Sequence, residues 1–165
     1  MIVTHPLVPE DNARLLALIG AIFDREYQAD ALARDMAAAL AYAAGVAAQL
    51  PRERVLYLIW RKPWMTVTRA TYVGATLACV GWDCVAPGDG KRYPSLADDE
   101  PAWRDAERIL LSTEPYAFRE RDAADIALQR QRPATLIDGE WTSWYGVRAI
   151  AGLRALAAFR ADLAK

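Results

Sequence analysis

Apolar strand-like runs alternate with amphipathic helical runs over most of this chain of 165 residues. The near-continuous apolar run "VLYLIW" and the runs "RILLST" and "ATLIDG", with a short "CVAP", predict strands. Between and after them, "TYVGATLACV", "LADDEPAWRDA", "FRERDAADIALQ" and "GVRAIAGLRALAAFRADLA" predict helices. Continuous apolar strands that alternate with helices are typical of a parallel sheet covered on both faces. Residues 51–165 are therefore predicted to form a four-stranded, mainly parallel, Rossmann-like α/β layer.

The first 50 residues follow another pattern, which divides the chain into residues 1–25, 26–50 and 51–165. Residues 26–50 consist almost wholly of strong helix formers and predict a single helix on the order of 36 Å long. The second half of this helix is apolar on nearly every side, so we expect protein to cover it on more than one face.

The segment before the long helix predicts one strand and one helix. "IVTHPLV" has the pattern of a short strand, and "PEDNARLLALIGAIF" that of a helix. Asp11 or Asn12 is expected to cap this helix, which carries Leu15, Leu18 and Ile19 on one face.

Charge and motifs exclude several classes of function. The chain has 20 Lys and Arg against 21 Asp and Glu, and neither sign forms the stripe that binds a nucleic-acid backbone, so we expect no nucleic-acid partner. His5 is the single histidine, and no nucleophile elbow, phosphate-binding loop or zinc signature occurs, so we expect neither an enzyme nor a metal site. Cys79 and Cys84 are expected to be unreactive core thiols.

Aromatic residues collect at one edge of the predicted sheet. In a parallel α/β sheet every strand-to-helix loop lies at the carboxyl edge, where ligands of open sheets bind. Those loops are predicted to carry eight large rings: Trp60, Trp64, Tyr93, Tyr116, Phe118, Trp141, Trp144 and Tyr145. Opposite-edge loops contribute only Trp82. Any single ring could instead pack in the core, but the set as a whole predicts a binding surface.

Polar residues beside these rings could orient a ligand. They are Arg61, Lys62, Arg92, Glu114, Arg119 and Glu140. Each could equally be a solvated side chain. The N-terminus of the last helix, near Gly146, could favour an anionic group.

Several motifs resemble those of a known family. "VLYLIWRKPWMTV", "RYPSL", "RILLSTEPYAF" and "LIDGEWTSWYGVRAIAGL" occur in the order and spacing found in helical-backbone (class III) periplasmic binding proteins. These are solute receptors of ABC importers for vitamin B12 and ferric siderophores. In them one long helix joins two α/β lobes, and the ligand lies between the lobes against aromatic side chains. Together with "THPLVPEDN", the likeness covers nearly the whole chain.

The resemblance implies specific roles for residues of this chain. Trp60, Trp64, Tyr116, Trp141, Trp144 and Tyr145 would form the second-lobe wall of the ligand cleft. The implied ligand is a corrinoid such as cobalamin, a ferric siderophore or a related metal chelate, with no intrinsic cofactor. Asp98 or Asp99 would dock to arginines of the transporter permease. Residues 26–50 would be the backbone helix, and residues 1–25 a remnant of the first lobe.

Most of the first lobe expected from the resemblance is missing from this sequence. The chain is expected to be a fragment, a shortened product, or a chain completed by a partner. The resemblance implies a periplasmic location. No signal peptide is visible, which predicts the cytoplasm if the product is complete.

Two main hypotheses follow from this sequence. In the first, the chain binds a solute through its aromatic surface. In the second, it is a truncated receptor lobe that acts as a structural or dimerisation module without binding ligand on its own. A nucleotide-using enzyme, suggested by fold class alone, is a distant third.

Overall fold

A computed structural model describes all 165 residues and contains seven helices and six strands. The helices are α1 (Asp11–Ile22), α2 (Glu26–Gln49), α3 (Tyr72–Ala78), α4 (Ala102–Asp105), α5 (Glu120–Arg130), α6 (Glu140–Ser143) and α7 (Val147–Asp162). The strands are β1 (Glu53–Trp60), β2 (Trp64–Thr66), β3 (Trp82–Cys84), β4 (Ser95–Leu96), β5 (Arg108–Ser112) and β6 (Ala134–Ile137).

One mixed sheet forms the centre of residues 51–165. Its order is β4-β2-β1-β5-β6, and β3 pairs with the first half of β1. The pairs β1–β3, β1–β5 and β5–β6 are parallel, which confirms the predicted four-stranded parallel layer. The short strands β2 and β4 were not predicted, and each pairs antiparallel with its neighbour. They escape sequence analysis because three-residue and two-residue strands show no periodicity.

Alternating side chains of the strands build two cores, one on each face of the sheet. In β1, Val55 and Tyr57 belong to a core that includes residues of α2, α3 and α7. Leu56 and Leu58 belong to the opposite core, which includes residues of α4 and α5. Burial on both faces explains why the strands are continuously apolar.

The long helix α2 confirms the predicted helix, but the rest of the protein covers it along one stripe only. Only Ala29, Met36, Ala39 and Ala43 are buried, and this stripe lies on the side that packs against α1 and α7. The expectation of wider burial is wrong because alanine favours helix without needing burial. By length and composition alone, α2 could also cross a membrane.

The N-terminal segment differs from its prediction. Residues 1–7 form no strand, and Asp11 accepts backbone hydrogen bonds from Leu7 and Val8, at 2.8 and 3.2 Å, instead of capping the helix. In α1 the buried residues are Asn12, Leu16 and Gly20. The predicted apolar face is therefore largely exposed, with Leu18 and Ile19 in contact with solvent.

Candidate functional site: an aromatic rim at the carboxyl edge of the sheet

Four aromatic side chains lie at or just beyond the carboxyl ends of β1, β5 and β6, and we call this set the rim: Trp60, Tyr116, Trp144 and Tyr145. Three of them are exposed, between 41% for Trp60 and 47% for Tyr145. Tyr116 is half-buried. The rim therefore retains four of the eight rings that the sequence assigned to this edge. Tyr93 lies elsewhere, because the carbonyls on either side of it accept from the amides of Thr66 and Thr68, beside the middle of β1.

Trp64 and Phe118 pack into the core. The Trp64 ring stacks on Phe118 with 6.2 Å between centroids and meets Trp103 edge-on at 5.8 Å. All three rings belong to the core on the α4–α5 side of the sheet or pack against it. The unpredicted strand β2 explains this placement, because Trp64 begins that strand and pairs with Leu96 of β4.

Trp141 also packs inward. It lies in the short helix α6, and its ring meets Phe159 of α7 edge-on at 5.7 Å. A Cβ at Gly152 of α7 would lie 2.9 Å from the Trp141 carbonyl oxygen, so α6 and α7 are in close contact here. Trp141 thus packs against the α2–α3–α7 core.

Trp60 and Tyr116 form one half of the rim. Their rings meet edge-on with 5.5 Å between centroids. Tyr116 in turn contacts the buried Phe118 at 4.6 Å. The pair is thereby anchored to the core while Trp60 remains exposed.

Trp144 is held by polar contacts on two sides. Its indole Nε1 donates to Oε1 of Glu114 at 2.9 Å, and Ser143 Oγ donates to the same oxygen at 2.7 Å. The Arg148 guanidinium lies over the indole ring, 4.3 Å from its centroid, and its Nη1 donates to Glu140 at 2.8 Å. Glu114 and Glu140 were named from sequence, whereas Arg148 was not.

Tyr145 and the backbone of this loop are tied to the N-terminal segment. Tyr145 meets Tyr72 of α3 edge-on at 4.6 Å. Asn12, fully buried, donates from Nδ2 to the Tyr72 hydroxyl at 2.8 Å and accepts from the Gly146 amide at 2.6 Å. Burial raises the pKa of Tyr72 to about 12. Sequence analysis missed Asn12 and Tyr72, because no local pattern reveals a bond across 134 residues.

The other polar candidates have mixed placements. Arg61 pairs with the buried Asp122 at 2.8 Å, and Asp122 also accepts from the backbone amide of Arg119 at 2.9 Å. Lys62 is exposed. Arg92 is half-buried, and its Nε is buried without a hydrogen-bond partner.

The opposite edge of the sheet is closed by a buried charged group. Glu53 accepts from the Trp82 indole at 2.8 Å and from Arg108 and Arg160 at 3.0 Å each. Trp82 is fully buried. The one large ring that the sequence assigned to this edge is therefore part of the core.

Asp98 and Asp99 are exposed and lie just before α4. Asp98 already accepts from Arg130 at 3.0 Å, although its side chain remains 87% exposed. Asp99 forms no ion pair within the chain, so it is the freer of the two for an external partner.

The two cysteines are unpaired thiols. Burial raises the pKa of Cys79 to about 11 and that of Cys84 to about 12. No three His, Cys, Asp or Glu side chains come together in a group that could hold a metal ion.

Comparisons with known proteins identify the fold. No protein-family model matches the sequence, and no curated protein sequence matches it significantly. Among solved structures, a periplasmic heme-binding protein from Roseiflexus sp. RS-1 is 19% identical, with a TM-score of 0.77, over 97% of this chain and 65% of the other.

Two further structures are similar. A possible iron-binding (periplasmic solute-binding) protein from Staphylococcus epidermidis is 17% identical, with a TM-score of 0.75, over 100% of this chain and 66% of the other. The periplasmic vitamin B12-binding protein of Vibrio cholerae is 14% identical, with a TM-score of 0.74, over 98% of this chain and 64% of the other. The chain thus spans just under two thirds of their length. These structures are solute-binding proteins and not enzymes, and the chain has the fold of the class III periplasmic solute-binding proteins.

Proposed function

We propose that this chain is the solute-binding component of an ABC importer, or the second-lobe part of one. Its solute would be a corrinoid such as cobalamin or a related metal chelate. The exposed rim is the observation that carries the proposal. Three large rings at one edge with more than two fifths of their surface in contact with solvent are costly unless another molecule covers them.

The chemistry of the rim suits a broad, flat ligand. Aromatic faces and edges supply apolar contact area, and the indole and phenol groups add polar atoms at the boundary. Trp60 and Tyr116 contact each other beyond β1 and β5, and Trp144 and Tyr145 follow β6, so one ligand that touches both groups would need to span the ends of three strands. Corrinoids, porphyrins and siderophore chelates have this size.

The names of the similar structures support the same class of ligand. They include proteins that bind vitamin B12, heme and iron. Under this proposal the chain works with a permease in the periplasm, and Asp98 and Asp99 are the docking candidates. A single lobe covers one side of a ligand only, so we expect weaker binding than a two-lobed cleft would give.

Ligand titration tests the proposal. Cyanocobalamin, hemin and a ferric siderophore would each be added to the folded protein, with tryptophan fluorescence corrected for ligand absorbance and equilibrium dialysis as an independent readout. We expect at least one ligand to bind saturably, and Trp60→Ala with Trp144→Ala to weaken it at least tenfold.

Tyr42→Ala provides a matched control. Tyr42 is as exposed as Tyr145, but it lies on α2 in a groove with Arg154 of α7, away from the strand ends. Its loss should leave binding unchanged. Absence of saturable binding for all three ligands, or equal loss in the control variant, would contradict the proposal.

A specific surface favours a second candidate, the self-associating module. The N-terminal segment and α1 expose a group of large apolar side chains: Ile2, Val3, Leu18, Ile19, Ile22 and Phe23. Light scattering would then detect an oligomer that Ile19→Ser with Phe23→Ser dissociates. A monomer at all accessible concentrations would oppose this candidate, and dissociation by Trp144→Ala alone would place the contact at the rim instead.

A further inference from the structure

We infer that Glu114 is a positioning residue for the solute site, because its carboxylate and Arg148 together fix the Trp144 ring while that residue stays exposed at the rim. This inference rests on the proposed function for its effect on binding. Its structural part concerns the free protein and is tested there.

Glu114 joins two loops that meet only at the edge of the sheet. It lies in the loop after β5, whereas Ser143 and Trp144 lie at the end of α6 and just after it, beyond β6. Both Ser143 Oγ and Trp144 Nε1 donate to the same Glu114 oxygen, at 2.7 and 2.9 Å. Hydrogen bonds to an ionised acceptor are stronger than those between neutral groups. The Glu114 carboxylate is therefore the polar anchor that fixes the direction of the indole N–H.

Arg148 fixes the plane of the same ring. Its guanidinium carbon lies 4.3 Å from the centroid of Trp144, and Glu140 holds the guanidinium through a 2.8 Å hydrogen bond. A cation over an indole face is attracted by the negative potential of that face. Rotation of Trp144 would break this contact and the Glu114 hydrogen bond together. The remaining surface of Trp144, still 42% exposed, is left for a ligand.

Gly139 allows Glu114 to occupy this position. A Cβ at Gly139 would lie 2.5 Å from Glu114 Cγ and 2.5 Å from Ser112 Oγ, which is closer than real Cβ contacts. The Gly139 amide also donates to Thr113 Oγ1 at 2.9 Å. Glycine at this position therefore permits the close approach of the two loops, and a methyl group there would displace Glu114 and Ser112.

The functional consequence is pre-organisation. A tryptophan that is free to rotate must be ordered when ligand binds, and this ordering weakens binding by about threefold to tenfold. Glu114 and Arg148 supply this order before ligand binds, because both contact Trp144 in the free protein.

The first test uses the protein without ligand. Near-ultraviolet circular dichroism of each variant would be compared with that of its Trp144→Phe counterpart, so that the difference reports Trp144 alone. We expect a defined Trp144 band in the wild type. Glu114→Gln should retain the band, because its amide oxygen still accepts a hydrogen bond. Glu114→Ala and Gly139→Ala should lose it. An unchanged band in Glu114→Ala would overturn the inference.

The second test measures cyanocobalamin and hemin binding. Glu114→Ala should raise Kd about threefold to tenfold, with recovery in Glu114→Gln, and should have no further effect in a Trp144→Ala background. An equal loss in that background would show that Glu114 acts independently of Trp144 and would overturn the inference. If neither ligand binds the wild type, the proposed function fails, while the dichroism result still decides whether Glu114 positions Trp144.

Discussion

Replacement of Asn12 by alanine tests whether the N-terminal segment is structurally coupled to the rim. The Asn12 side chain is fully buried and forms three hydrogen bonds. Its Nδ2 donates to the Pro9 carbonyl at 2.7 Å and to the Tyr72 hydroxyl at 2.8 Å, and its Oδ1 accepts from the Gly146 amide at 2.6 Å. The change to alanine removes three hydrogen bonds, and the Pro9 carbonyl, the Tyr72 hydroxyl and the Gly146 amide each lose Asn12 as a partner.

The expected cost follows from those partners. A buried polar group left without a partner costs about 1–3 kcal/mol. Tyr72 keeps a long contact from its hydroxyl to the Trp144 carbonyl at 3.5 Å, and Gly146 is only half-buried, so water can reach part of this region. We therefore expect a loss of about 2–4 kcal/mol in the free energy of unfolding. For a domain whose stability is about 5–15 kcal/mol, this is a large fraction.

Urea denaturation followed by circular dichroism measures the effect. With a slope of about 2 kcal/mol per molar urea, the midpoint should fall by about 1–2 M. Arg14→Ala is the control on the same helix, because its side chain is 83% exposed and its ion pair with Asp11 should contribute less than about 1 kcal/mol.

Two further measurements decide whether the coupling reaches the rim. Hydrogen exchange at the Gly146 amide should accelerate in Asn12→Ala, because that amide loses its acceptor. Asn12→Ala and Tyr72→Phe should also be non-additive by about 0.5 kcal/mol or more, since they share a hydrogen bond. A midpoint close to that of the wild type, or strict additivity with unchanged exchange, would refute the reasoning.

Three other predictions follow from buried polar groups. Burial raises the pKa of Tyr57 to about 12 from an ordinary value of 10.0. The unfolded state therefore loses this proton first, and stability measured by urea denaturation should fall as pH rises from about 10 to 12. A flat profile would contradict this prediction. Cys79 and Cys84 should react slowly with a disulfide reagent at pH 8 in the native protein and rapidly in urea, because burial raises both pKa values. Arg61→Ala should cost about 1–3 kcal/mol in unfolding free energy, since it leaves the buried Asp122 carboxylate with fewer donors; a change below the error of the urea midpoint would refute it.

The fold was predictable because its strands are buried on both faces. Residues 55–60 are continuously apolar and residues 109–111 repeat this pattern in β5, which leaves few alternatives to a covered parallel sheet. Which faces of α2 are covered by other helices was not predictable in the same way. Its alanines favour a helix whether or not a neighbour covers them, so composition predicted the element but not its surroundings.

The collection of aromatic residues near the carboxyl edge of the sheet was predictable to a similar degree, but whether each ring points to solvent or to the core was not. Trp60 and Trp64 are four residues apart, yet the first is exposed and the second packs on Phe118. The difference arises because Trp64 enters a three-residue strand whose pairing with β4 turns its side chain toward the core. Trp141 and Trp144 diverge for a related reason, since α6 packs Trp141 on Phe159 and ends before Trp144.

Long-range polar contacts determine the geometry of the rim on its Trp144 side. Glu114 orients Trp144 from the loop after β5, and Asn12 holds the adjoining backbone from α1. Hydrogen-bonded networks of this kind fix one arrangement only when each member finds its partner. A change in the position of α1 would therefore move the Gly146 amide and with it the loop that carries Trp144 and Tyr145. If the proposed function is right, the position of the N-terminal segment sets how well this wall fits a ligand, so solute affinity should depend on Asn12 even though this residue is buried away from the rim surface.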